Sequence, residues 1–157
     1  MNSRSTEAAL RILQVGLGGW GRDWAGRVLP EVSEVELVGG VDPDPTARKM
    51  AGLPAKRLFT QLEEGLAAVE PEAVLVTTLL GDHVSVARAA LEAGKHVLVE
   101  KPFAPSVAEG RELVELAAAR GLTLMVSQHY RFFPAVLSVP DLVRTEDLAR
   151  LHAFVMD

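Results

Sequence analysis

The sequence has no cysteine, which rules out disulfide staples and thiolate metal sites and fits a reducing compartment. Aromatic residues are only 5% of the chain, so alanine, valine and leucine must fill the core, a filling that suits helices packed on a sheet. No cluster of lysine and arginine stands out and the net charge is -5, which leaves no electrostatic footprint for nucleic acid. The apolar stretches fall far short of the ~20 residues a membrane helix needs. The polar segment Met1 to Glu7 lacks the apolar region of a signal peptide. No His-x-x-Glu or paired-carboxylate spacing points to a metal. The expectation is a cytoplasmic protein with neither nucleic acid nor membrane as partner.

What remains is the composition of a soluble domain: 157 residues, 48% hydrophobic and 24% charged. Short, nearly continuous apolar runs occur at Ile12–Val15, Val35–Val41, Ala73–Val76, Val97–Val99 and Leu122–Val126, with a further short one near Arg57–Phe59. Strands buried on both faces read this way. Helical patterns lie between them at Trp20–Leu29, Pro45–Ala51, Thr60–Val69, Asp82–Ala93 and Ser106–Ala119. Their ends carry signals: Asp44 before Pro45, capping boxes Thr60/Glu63 and Ser106/Glu109, and stops at Gly94 and Gly121. This alternation predicts an α/β fold with a doubly wound, mostly parallel sheet of the Rossmann type. It breaks near Pro134 to Asp147, and 148–157 reads as one more strand.

Gly16-Leu17-Gly18-Gly19-Trp20-Gly21 follows the first strand and opens a helix, the context in which G-x-G-x-x-G binds a dinucleotide. Gly16 permits the tight turn, Gly18 lets a diphosphate approach the backbone, and Gly21 lets the helix pack close to the sheet. Asp42 ends the second strand 21 residues after Gly21, where an acid accepts hydrogen bonds from the adenosine ribose and repels a 2′-phosphate. NAD is therefore expected over NADP. The next bases, Arg48 and Lys49, are the ones able to reach back.

Together with these features, Ala90 to Val97 (ALEAGKHV), then Glu100-Lys101-Pro102, and later Gln128 to Pro134 (QHYRFFP), resemble the glucose–fructose oxidoreductase/inositol dehydrogenase family, Gfo/Idh/MocA. The resemblance covers roughly residues 10 to 134. It implies an NAD(P)-binding Rossmann domain over 1–134. Residues 135–157 would form a linker and the first strand of the family's C-terminal α+β domain, the rest of that domain being absent or truncated.

The implied activity is hydride transfer between the nicotinamide and a hydroxyl carbon of a sugar, inositol or related polyol. The resemblance implies Lys101 as the catalytic residue beside nicotinamide and substrate, with Glu100 orienting it, and adds Thr78, His83 and Arg131 to the cofactor set. A lysine there stabilises charge on the reacting oxygen, and acts as a base only if its pKa falls well below the ~10.4 reference. The chain departs from the family at Leu79 and Leu80, which replace a proline and a polar residue, and at His129, where asparagine is commoner. The alternative expectation is a non-catalytic NAD-binding accessory or sensor module. An unpaired edge at 148–157 would seek a partner chain or a second copy, giving a dimer.

Overall fold

A computed structural model of the chain describes residues 8–138. The expected strand at 148–157 and its dimer edge lie outside the described residues. The chain divides into two compact units, Met1–Ser127 and Gln128–Asp157.

The first unit holds six parallel strands in the order β3-β2-β1-β4-β5-β6. They are β1 (Leu10–Val15), β2 (Val35–Val41), β3 (Leu58–Phe59), β4 (Ala73–Val76), β5 (His96–Val99) and β6 (Leu124–Val126). Strand order reverses beside β1, so the carboxyl ends of β1 and β4 flank the crevice where ligands bind in such sheets. The helices are α1 (Gly19–Asp23), α2 (Pro45–Met50), α3 (Leu62–Val69), α4 (Leu80–Glu92) and α5 (Val107–Arg120).

Alternate strand residues feed two cores, because successive side chains point to opposite faces. Leu13, Val15, Val74, Val76, Val97 and Val99 meet Leu62, Ala87, Leu91 and Leu113 on one face. Ile12, Ala73 and Leu75 meet Leu29 and Trp24 on the other. Small alanines on α4 and α5 allow close packing without aromatic filling, as the composition requires.

Local signals decide most helix ends. Asp44 caps α2 by accepting from the Thr46 N–H at 2.8 Å. Ser106 caps α5 by accepting from Glu109 N–H at 3.2 Å, and Gly121 ends that helix at φ 65°. Three expectations are corrected. The box on α3 uses Gln61 and Glu64, one residue later than Thr60/Glu63, because Glu64 reaches the N–H groups of both Thr60 and Gln61. Helix α4 starts at Leu80, two residues early, without a side-chain cap. The first helix is not α-helical to Leu29: after α1 it widens into a π-helical segment, Trp24–Val28, and tightens into a 3-10 turn, Leu29–Glu31.

In the second unit a 3-10 turn spans His129–Phe132. Its rings meet locally, with Tyr130 and Phe133 edge to face at 5.2 Å between centroids and the Arg131 guanidinium 5.8 Å from the Phe132 ring. No described helix is long and apolar enough to cross a membrane.

Candidate cofactor site

The turn after β1 is built around missing Cβ atoms. Gly16 has φ +92°, and a Cβ there would stand 2.7 Å from the Thr77 carbonyl group. A Cβ on Gly21 would stand 2.1 Å from the Gly16 oxygen. Both glycines are demanded by the protein itself. Gly18 differs: its φ of -63° suits any residue and nothing lies within 4 Å of its Cβ position. The fold leaves that side of the turn bare, as a diphosphate would need it.

Asp42 locks this turn to the end of β2. One carboxylate oxygen accepts from the Leu17 N–H at 2.7 Å and the other from the Asp44 N–H at 2.8 Å. Each oxygen keeps a lone pair for a ribose hydroxyl. Arg48 does reach back, with Nη1 donating to the carbonyls of Asp42 and Pro43.

A cleft of about 340 Å³ opens over the turn, lined by Gly16, Gly18, Gly19, Trp20, Asp42 and Thr78 among others. A second hollow of about 400 Å³ shares Thr78 and Asp82 with it and extends along Thr60, Gln61 and Ser85. These volumes lie in the range of small-molecule sites. Thr78 carries a buried hydroxyl with no protein partner among the described residues. Leu79, beside it, is 81% exposed.

His83 stands elsewhere than in the open cleft. It is buried in the first turns of α4, with Nδ1 2.8 Å from the Pro102 carbonyl oxygen and Nε2 3.2 Å from that of Thr78. It ties the loop after β4 to the loop after β5. A neutral imidazole has one N–H and can donate to only one of the two at a time.

Glu100 and Lys101 follow β5, and Lys101 is exposed while Glu100 is buried. The Trp24 indole N–H donates to Glu100 at 2.9 Å, and the Lys101 backbone N–H at 3.0 Å. Burial pushes the Glu100 pKa up. Hydrogen bonds from Trp20, Trp24, Ser127 and the Lys101 backbone outweigh it and hold the group below the ordinary 4.5 of a glutamate. Glu100 is thus an ionised carboxylate fixed by donors. Trp20 brings the phosphate turn, and Trp24 the π segment, onto the residue before Lys101. The Lys101–Pro102 bond is cis.

Sequence reasoning missed Gln14, Thr77, Trp24, Asp82 and the lining residues Thr60, Gln61 and Ser85. Thr60 and Gln61 lie just beyond the carboxyl end of β3, so topology alone could have flagged them, whereas Ser85 lies within α4. Arg131 lies in the second unit and is described there.

A parallel sheet in this strand order, with a bare glycine turn and an acid closing β2, defines a dinucleotide-binding α/β module of the Rossmann class. The chain is matched over residues 10–128 by the model of the oxidoreductase family with an NAD-binding Rossmann fold, GFO_IDH_MocA, and it belongs to that family. It is 35% identical over 108 residues to an uncharacterised oxidoreductase of Schizosaccharomyces pombe, a match covering 69% of this chain and 29% of that protein. Among solved structures, GenD2 from gentamicin A biosynthesis in complex with NAD superposes with a TM-score of 0.80 at 29% identity, covering 90% of this chain and 41% of that one. The WlbA dehydrogenase of Bordetella pertussis, in complex with NADH and UDP-GlcNAcA, gives a TM-score of 0.79 at 27% identity, covering 87% and 42%. The chain thus spans well under half the length of these proteins.

Proposed function

We propose that this chain is the cofactor half of a cytoplasmic oxidoreductase that moves a hydride between NAD and a hydroxyl carbon of a sugar, inositol or related polyol. The observation that carries this reading is Gly18. Its missing side chain serves no contact within the protein, and it faces a cleft bounded by Asp42 and Thr78.

The nicotinamide, when bound, supplies the hydride chemistry. The chain's own residues would do the rest. The Leu17 N–H is given to Asp42, and the backbone N–H groups of Gly18 to Gly21 would face the diphosphate. Asp42 would accept from the adenosine ribose and repel a 2′-phosphate, which favours NAD over NADP. Thr78 would line the cofactor's cleft beside Asp82. The ammonium of Lys101 would hydrogen-bond the reacting oxygen and stabilise its developing charge. Glu100 would hold the Lys101 backbone still. His83 would act by fixing the loops that carry Thr78 and Lys101. A second copy joined through 148–157 completes this reading.

Titration of the chain with NADH and NADPH, followed by reduced-nicotinamide fluorescence, tests it. NADH should saturate the protein at a concentration at least about tenfold below NADPH, a difference of ~1.4 kcal/mol. Absence of saturation by either dinucleotide overturns the reading.

A further inference from the structure

The interior of β1 carries a residue that core packing does not explain. Gln14 is fully enclosed, 0% exposed, at the centre of the sheet. It shares the sheet face of Ile12, opposite Leu13 and Val15. Its amide nitrogen lies 3.1 Å from the Gly16 oxygen, 2.6 Å from the Gly21 oxygen and 3.0 Å from Thr77 Oγ1. The orientation is fixed, because turning the amide over would set its oxygen against two carbonyl oxygens. Thr77 Oγ1 itself lies 2.6 Å from the Gly16 oxygen and 3.1 Å from that of Val15. Its proton goes to a carbonyl, and the two N–H bonds of the Gln14 amide are shared among the three acceptors around them.

The arrangement is costly at its other end. Gln14 Oε1 is buried with no protein partner among the described residues. Methionine or leucine would fill the space without an orphaned acceptor, so stability alone does not select glutamine here. What glutamine adds is a grip on both flanking carbonyls of the glycine turn. A trans peptide points its C=O and N–H in opposite directions. With the Gly16 carbonyl drawn inward to Gln14, the Leu17 N–H points outward, and it does so onto Asp42. One peptide plane is therefore clamped between an amide below and the ribose-side carboxylate above.

We infer that Gln14 is a positioning residue for diphosphate binding. With Thr77, it sets the peptide planes of the turn before the ligand arrives, so that binding pays no ordering cost there. This rests on the dinucleotide reading of the cleft. It assigns Gln14 no contact with the ligand.

The test uses the full chain carrying Gln14→Met, with NADH, ADP and adenosine as probes followed by NMR titration. The NADH and ADP dissociation constants should both rise about tenfold, with adenosine within about twofold and the melting temperature unchanged or raised. Undiminished NADH binding overturns the inference. So does a loss shared equally by adenosine, which would mark a general loosening of the fold. If Gln14→Met does not fold, Thr77→Val removes the bridging hydroxyl at constant shape and faces the same three probes, with the same outcomes deciding. Failure of the unaltered chain to bind NADH or ADP is a different result: it removes the dinucleotide reading itself.

Discussion

Two loops face the same cleft, and they are built in opposite ways. The turn after β1 is over-determined: Gly16 and Gly21 are locked by close backbone approach, and Gln14, Thr77 and Asp42 hold its carbonyls and N–H groups. The turn after β4 is left open, with the Thr78 hydroxyl unpartnered and Leu79 mostly in solvent. The first loop has its Gly16 and Gly21 carbonyls and its Leu17 N–H paired within the protein, whereas the second keeps a buried hydroxyl without a partner among the described residues. The cleft thus has one wall fixed by close backbone contacts and hydrogen bonds and one wall with fewer of them.

Substitutions break or sharpen this contrast. The largest effect belongs to Gly21→Ala, whose new Cβ would stand 2.1 Å from backbone. Stability should fall by about 3 kcal/mol, the upper end of overpacking costs, read as a shifted denaturant midpoint. Asp42→Ala removes acceptors from two backbone N–H groups and a charge from the ribose side. It should cost about 1–2 kcal/mol of stability and raise the NADPH-to-NADH affinity ratio about tenfold, measured by paired titrations. An unchanged ratio would show that the carboxylate locks the turn without selecting the coenzyme.

Glu100→Gln asks whether the rigidity of the first turn extends through Trp20 to the end of β5. The folded-state pKa of Glu100 is depressed, so its stabilisation is present above the unfolded value and lost as pH falls through the folded one. The variant should be about 1 kcal/mol less stable at neutral pH, with the gap closing below the ordinary carboxylate range, in parallel melts from pH 7 to pH 3. A gap independent of pH would mean the charge is not what holds the indoles. The smallest effect is on the open loop. Leu80→Asn should change stability by less than about 1 kcal/mol and tighten NADH only a few-fold, by restoring a polar side chain beside Thr78.

The features legible in the sequence are those that local spacing encodes. The glycine turn and Asp42 could be located because strand and helix lengths fix their separation, and the doubly wound parallel sheet followed from buried runs alternating with helices, though not its strand order. The cap of α3 slipped by one because Thr60/Glu63 and Gln61/Glu64 have the same spacing, and only the path of the Glu64 side chain separates them. Trp24 onto Glu100 and Gln14 onto Thr77 join residues 76 and 63 positions apart. No periodicity announces such pairs. His83 was legible as a residue of interest, but its burial against two carbonyls depends on where the loop after β5 passes.

The central claim is that the bare face of the phosphate turn exists for a ligand, and Gly18→Ala tests it most directly. The added methyl meets nothing in the protein, so the melting temperature should hold, within about 0.5 kcal/mol of stability. NADH affinity, measured by calorimetric titration, should fall at least about tenfold, because the methyl would occupy the diphosphate's approach. An alanine variant that binds NADH as tightly as the unaltered chain would contradict the account.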